Sequence, residues 1–535
     1  MARIGVGATT KTKTVNKAGG QAYTLISPAV SLVHAIGHFM NEPKYYPDGE
    51  ESPTDIDSEG QNVIALATQL AKDGRHEELL SIARWARTDL NLRTTPIVVL
   101  ATACEYPGTI MVQGRNIVAT YAPTIMQRAD EPRNLFAAWR HLFGAATDKG
   151  LRTRRVPSVL RRSVARILSA LPEHALAKWA GNVSPTLGDV IRVADRGLVK
   201  QAKLLYFVNP EKWAERRAET PVLDARDQLF KREKFDATSR ELAEKARLTW
   251  ENLVTHFGKG KEIWEFAQGQ MGYMALLRNL RNLEQAGVNL EPVAKRIADE
   301  EEVAKARQLP FRYMSAIEAV TSPILHKALS KAMDLSLKNV PELKGKTTLL
   351  VDVSGSMTGT NVSSKSVRTC ADAAAALAGM FYSRGTDVSM IVFSQNARKV
   401  TVKGNGAMAA AEALKGAFIG GGTNPAAGLP LLLKDTDRVI LLSDMQCYSN
   451  EYGASTFAVQ WNQWKKNNNE KAWMHSVNLV GTIESQLDQS TQRINLMSGF
   501  SEQLMSLIAS VEANESPTKA ATITVEEIVK KFRIA

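Results

Sequence analysis

The run Thr347-Thr348-Leu349-Leu350-Val351-Asp352-Val353-Ser354-Gly355-Ser356 constrains the fold of this chain more than any other stretch. A β-branched and apolar run of strand length belongs in the middle of a covered sheet. It breaks into Asp-x-Ser-x-Ser and a turn, which places one carboxylate and two hydroxyls at the strand's carboxyl end. Small hard oxygen donors around an open position suit an ion such as Mg²⁺, or Mn²⁺ in its place. Two later stretches supply matching chemistry. Gly420-Gly421-Gly422-Thr423-Asn424-Pro425 offers a hydroxyl on a flexible loop, and Arg438-Val439-Ile440-Leu441-Leu442-Ser443-Asp444 is a second buried-type strand that ends in Asp.

Around these stretches the pattern alternates strand and helix. Strands are expected at Thr347–Val353, Val388–Ser394, Val439–Ser443 and Ser476–Val480. Helices are expected at Ser363–Arg384, Met408–Phe418, Pro425–Lys434, Thr456–Lys466 and Thr524–Phe532. That order predicts a doubly wound α/β domain whose ligand site lies at the carboxyl ends of the strands. Before residue 345 the pattern differs. Segments with helical spacing follow one another from Gln61–Asp73 through Lys261–Gln285 to Phe311–Val320, with little strand alternation. Short helices in series predict stacked helix pairs, although no fixed-period repeat is visible. The expected division is a flexible basic tail over 1–20, a helical domain over 21–340 and an α/β domain over 345–535. At 535 residues the chain is too long for one core.

The formal charge of +12 is unevenly shared. From residue 341 onward there are 19 Lys and Arg against 17 Asp and Glu, leaving an excess of +10 in residues 1–340. A basic helical part favours a polyanionic partner, nucleic acid before membrane. The densest basic stretch holds Lys149, Arg152, Arg154 and Arg155, then Arg161, Arg162 and Arg166 on a helix that Pro157 should open. Arg162 and Arg166 are four apart and share a face, with Leu160, Val164, Ile167 and Leu168 on the buried side. Guanidinium groups bond phosphates bidentately and stack on bases. The alternative is a solvated basic face. Three widely spaced cysteines, Cys104, Cys370 and Cys447, indicate neither a disulfide framework nor a zinc ribbon, and a reducing cytoplasm is the expected compartment. No apolar run approaches the roughly 20 residues that span a bilayer, and residues 1–20 lack the apolar core of a signal peptide. Neither a zinc-hydrolase His-Glu-x-x-His nor a phosphate-binding P-loop is present.

Two resemblances follow. The set Asp352, Ser354, Ser356, Thr423 and Asp444 resembles the metal-ion-dependent adhesion site of von Willebrand factor A domains, and the resemblance implies that these five surround the metal. Met271-Gly272-Tyr273-Met274-Ala275-Leu276-Leu277-Arg278-Asn279-Leu280 resembles the signature of the TROVE module, as do Lys261–Trp264 and Ala304–Arg312. A TROVE module followed by an A domain is the order of the Ro family. The resemblance implies a ring of HEAT-like helical repeats closed by the A domain. It also implies a non-catalytic monomer that binds small noncoding Y-like RNA and the single-stranded ends of misfolded RNA, with an exoribonuclease or other protein recruited through the A domain. It strengthens the RNA reading of the basic helix and makes Arg278 a further candidate RNA contact, although Arg278 serves equally well as a structural pair. One departure stands out: Leu187 occupies the position where Ro proteins tend to carry a His. The competing reading is a metal-dependent protein-adhesion scaffold whose basic helices are only a platform. Hydrolysis at a metal pair needs more carboxylates than Asp352 and Asp444 supply.

Overall fold

The computed structural model describes residues 12–15, 21–24, 27–37, 58–89, 92–147, 150–152, 155–179, 185–194, 197, 200–308, 310–339, 342–361, 369–404, 406–418, 420–446, 454–480, 484–485, 487, 493–498, 504–505, 508–509, 512 and 525–534. It divides into two compact units, one of residues 1–108 with 340–535 and one of residues 109–339.

The first unit opens on two short antiparallel strands, β1 (Thr12–Val15) and β2 (Gln21–Thr24). Residues 12–15 were expected in a flexible tail. Instead the alternating, β-branched Thr-Lys-Thr-Val run pairs as a strand, as such residues favour. Four helices follow: Pro28–Gly37, Ser58–Lys72, His76–Thr88 and Thr95–Glu105. The last has Pro at its start and apolar residues all round, and nearly all of it is buried. These helices group with the C-terminal residues rather than with the helical domain expected over 21–340, while the expected break near 340 coincides with the end of the second unit at Asn339. The contact is specific: the Val525–Phe532 helix packs on His76–Thr88, Arg84 donates to the Phe532 carbonyl at 3.0 Å, and Lys531 pairs with Asp89 at 2.7 Å.

The second unit holds two small hairpins, β3 (Met111–Val112) with β4 (Arg115–Asn116) and β5 (Ala145–Thr147) with β6 (Gly150–Arg152). Its other described elements are short helices that pack in sequence-adjacent pairs, among them Pro221–Leu229 on Ala237–Lys245 and Pro310–Ala319 on Pro323–Ser336. Side-chain caps start several of them: Asn116, Asp236, Asn289 and Asp299 each accept from a backbone amide of the first turn. The acidic run from Asp299 to Glu302 is therefore a capped helix start, where the N-terminal amides favour negative charge. Trp264 is buried and stacks on Trp250, as a core residue does.

The C-terminal part of the first unit carries a six-stranded sheet of β7 (Leu343–Asp352), β8 (Gly385–Phe393), β9 (Ala397–Val400), β10 (Arg438–Ser443), β11 (Trp473–Asn478) and, after the short β12 (Glu484–Ser485), β13 (Ile494–Ser498). The strand order is β13-β11-β10-β7-β8-β9, and all neighbours are parallel except the β8–β9 edge pair. β12 instead pairs with β2. The expected α/β alternation is present, with Pro425–Leu431 a 3₁₀ helix rather than an α-helix. Central β7 is buried from Thr347 to Asp352, so its ladder and both side-chain faces are covered, and its carboxyl end opens beside that of β10.

Candidate functional site

Asp352 ends β7 and is fully buried. Its Oδ1 accepts from the Ser354 amide at 2.9 Å, and its Oδ2 accepts from the Ser443 hydroxyl at 2.7 Å. Ser354 and Ser356 bring their hydroxyl oxygens to 3.2 Å of each other. Asp444 follows β10, is fully buried, and accepts from the Gln446 amide at 3.1 Å through Oδ1. Its Oδ2 is buried without a hydrogen-bond partner among the described residues. The Gly-rich loop is tied to the same turn: Gly355 donates to the Gly421 carbonyl at 3.1 Å and Gly420 to the Val353 carbonyl at 3.3 Å. Positive φ at Gly420 (78°) and Gly421 (102°) makes that path cheap only for glycine. Thr423 lies buried in this loop, and Asn424 anchors it through its amide to the Ser394 carbonyl at 2.7 Å.

Burial pushes the Asp352 carboxyl well above its usual range, and the neighbouring Asp444 charge adds to this against the bonds from Ser354 and Ser443. Burial raises Asp444 too, against bonds from Ser356 and the Gln446 amide. Among the described residues neither carboxylate has an ion-pair partner. Two buried carboxylates, an unbonded carboxylate oxygen and nearby hydroxyls fit a hard divalent cation. Such an ion relieves the desolvation and repulsion together. Two contributors were not singled out from sequence. Ser443 orients Asp352. Cys370 is buried close enough to feel both carboxylates, and its thiol is pushed up to about 12 by burial first and then by Asp444 and Asp352. Ser443 adjoins Asp444 in the motif and was within reach of sequence reasoning, whereas nothing in the sequence marks Cys370.

The basic stretch is placed as follows. Pro157 precedes the helix Ser158–Ala170, whose Leu160, Val164, Ile167 and Leu168 are buried. Arg155, Arg162 and Arg166 are exposed, and Arg162 donates to the Ser158 hydroxyl at 3.2 Å. Arg161 differs. It is half-buried, with a buried Nε that has no partner among the described residues, so it turns partly inward. Arg152 ends β6, while Lys149 and Arg154 lie outside the described residues. Lys203 locks the helix end by donating to the carbonyls of Ser169 at 2.7 Å and Leu171 at 2.6 Å. Leu187 is buried at the start of the helix Leu187–Ala194, which Thr186 and Asp189 cap reciprocally, so this position presents no polar group to a ligand. Arg278 is exposed on the helix Tyr273–Gln285 and lines a cavity.

The TROVE domain family model matches residues 226–348. The structure of the Ro (RSR) protein of Deinococcus radiodurans superposes with a TM-score of 0.63 at 19% identity, covering 91% of this chain and 100% of that one. At that identity the likeness carries the fold, helical part and α/β domain together. Two curated relatives, telomerase protein component 1 of Mus musculus and of Rattus norvegicus, are each 35% identical to this chain over 77 residues. Those matches cover 14% of this chain and only 3% of each relative's length. The structure brings Asp352, Ser354, Ser356 and Asp444 to strand ends beside the Thr423 loop, and it separates Arg161 from the exposed arginines of its helix.

Proposed function

We propose that this protein binds RNA through its helical unit and a divalent cation, Mg²⁺ first, through its α/β domain, without catalysing a reaction. The observation that carries the RNA reading is the exposed arginine face of the Ser158–Ala170 helix, fixed at its far end by Lys203, in a chain whose residues 226–348 match TROVE. The RNA proposed is a small noncoding, Y-like species together with single-stranded ends of structured or misfolded RNA, since unpaired bases stack on guanidinium planes. Buried Leu187 removes one polar contact from that surface, so the bound RNA differs in detail from one that needs a His there.

In the α/β domain, Asp352, Ser354, Ser356, Thr423 and Asp444 would hold the ion in a von Willebrand A-like adhesion site. When bound, the ion supplies an electrophilic coordination position that an acidic side chain of a partner protein, such as an exoribonuclease, completes. Ser443 and the Ser354 amide hold Asp352 in place for this. A monomer in the cytoplasm completes the proposal; no helix among the described residues is long and apolar enough to cross a membrane.

The test is RNA binding by Arg155→Ala/Arg162→Ala/Arg166→Ala, chosen in place of a set containing the half-buried Arg161. Affinity for a tailed structured RNA is expected to fall. The log–log salt slope is expected to fall by about 2, at roughly 0.7–0.9 per lost phosphate contact. An unchanged slope in a folded variant removes this helix from the interface, and wild-type protein that binds no RNA removes the reading.

A further inference from the structure

The two carboxylates of the candidate cation site are not equally available. Asp352 Oδ1 accepts from the Ser354 amide at 2.9 Å and Asp352 Oδ2 from the Ser443 hydroxyl at 2.7 Å. Asp444 Oδ1 accepts from the Gln446 amide at 3.1 Å, while Asp444 Oδ2 is buried with no hydrogen-bond partner among the described residues. The donors at Ser354 and Gln446 are backbone amides, which side-chain identity does not change. Ser443 is the donor that side-chain chemistry supplies, and it is fully buried. Its proton has a fixed direction, because the same oxygen accepts the Met445 amide at 3.0 Å and so turns its O–H to Asp352. Asp352 is thereby held through both oxygens in one orientation. A serine beside a buried carboxylate can be there only to satisfy it. Satisfaction alone does not account for this pattern, which gives Asp352 a donor on each oxygen and leaves Asp444 Oδ2 bare.

We infer that Ser443 sets the ion preference of this site: by holding Asp352 Oδ2 it keeps Asp352 from chelating through both oxygens, and so favours a small octahedral cation, Mg²⁺ or Mn²⁺, over Ca²⁺. Ca²⁺ takes about six to eight oxygens, often two from one carboxylate, whereas Mg²⁺ keeps several waters and is satisfied by one or two carboxylates. The donors here are few for the larger ion: one bare carboxylate oxygen, the hydroxyls of Ser354, Ser356 and Thr423, and what the bonds to Asp352 leave over. Turning Asp352 to offer both oxygens breaks the Ser443 bond and strands a buried hydroxyl proton. Ser443 touches no ion in this account; it is a positioning residue that acts through Asp352. The inference rests on the cation reading above and adds to it the residue that decides which cation binds.

The experiment uses the full chain, stripped of metal by a chelator and titrated calorimetrically with Mg²⁺, Mn²⁺ and Ca²⁺ in turn. Wild type is expected to bind Mg²⁺ and Mn²⁺ more tightly than Ca²⁺. In Ser443→Ala the ratio of Mg²⁺ to Ca²⁺ affinity is expected to fall about tenfold, chiefly through a gain for Ca²⁺. Ser443→Thr keeps the hydroxyl and is expected to restore the wild-type ratio. A purely structural serine would move both ions together and leave their ratio unchanged. Ser443→Cys keeps the shape with a far weaker donor and is expected to fall between wild type and Ser443→Ala. It carries the test if Ser443→Ala does not fold, as judged by circular dichroism. An unchanged ratio in a folded Ser443→Ala or Ser443→Cys protein refutes the inference and leaves the cation reading intact. So does a Ser443→Thr protein that behaves like Ser443→Ala. A wild type that prefers Ca²⁺ refutes it with no variant needed. A wild type that binds none of the three ions overturns the cation reading itself, and the inference falls with it.

Discussion

Glu512→Gln is the most quantitative test of how the α/β domain holds together. Glu512 accepts from Arg438 Nε at 2.7 Å and from a second guanidinium nitrogen at 2.6 Å, and it bonds His475 Nε2 at 2.9 Å. Arg438 also donates to the Thr347 hydroxyl at 2.8 Å, and the Asn495 amide lies 3.2 Å from His475 Nδ1. With Asn495 donating to Nδ1 and Nε2 donating to Glu512, the imidazole is neutral, which agrees with burial lowering its pKa. Burial alone would raise the Glu512 pKa. The bonds from His475 and Arg438 outweigh that and bring it from 4.5 to about 2. A displacement of that size is worth about 3 kcal/mol at neutral pH. Because the folded-state pKa is the lower one, this stability is present above about pH 4.5 and is lost as pH falls towards 2. Urea unfolding of wild type and Glu512→Gln, followed by circular dichroism and by the fluorescence of Trp473 stacked on His475, should give a gap of about 3 kcal/mol at pH 7. The gap should narrow by about 1.4 kcal/mol at pH 3.5. A gap that stays constant over this range means that Glu512 is not held as the anion, and the reasoning fails.

Other outcomes follow from the same structure. Asp444→Asn removes a buried charge that also raises the Asp352 carboxyl, so without divalent ions it should unfold at or above the wild-type temperature. Mg²⁺ at a hundredfold excess over Kd should stabilise only the wild type, by about 2.7 kcal/mol; equal stabilisation of both proteins would remove Asp444 from the site. Lys203→Met should cost about 1–3 kcal/mol in urea unfolding, because two carbonyls at the end of the basic helix lose a charged donor. It should also weaken RNA binding less than the arginine triple does. Cys370, with its thiol near 12, should resist iodoacetamide at pH 8 in the native protein and react only on unfolding. Rapid native labelling mapped to Cys370 would show that the carboxylate pair does not face a buried thiol.

The sequence showed the α/β domain wherever strands are apolar on both faces, as in β7 and β10, because continuous burial leaves a continuous signal. It hid β9, an exposed antiparallel edge whose Arg398 and Lys399 read as loop. It also hid β13, where Asn495 interrupts the apolar run because its amide serves His475 rather than the core. Long-range pairing left no local trace either. Nothing near residue 84 announces that its guanidinium caps the carbonyl of residue 532. Pattern alone therefore placed a boundary near 340, where the second unit does end, but left residues 1–108 with the helical domain, while the packing joins them to the C-terminal part.

The candidate cation site was legible for a different reason. Its donors sit where β7, the Gly-rich loop and β10 end, so each announces itself at a fixed offset from a strand or turn. What sequence does not carry is orientation. Asp352 is a plausible ligand in any parallel sheet; it becomes a held one because Ser443 bonds Oδ2 and the Ser354 amide bonds Oδ1. The arginines show the opposite case. Arg161 and Arg162 are adjacent and chemically identical, yet one turns partly inward and the other faces solvent. Helical periodicity separates them only after the buried face is known. The cavity beside Arg278 required still more, since the stripe at 274, 277, 278 and 281 is visible in the sequence but its partner at 312, 315, 316 and 319 has meaning only once the two helices face each other.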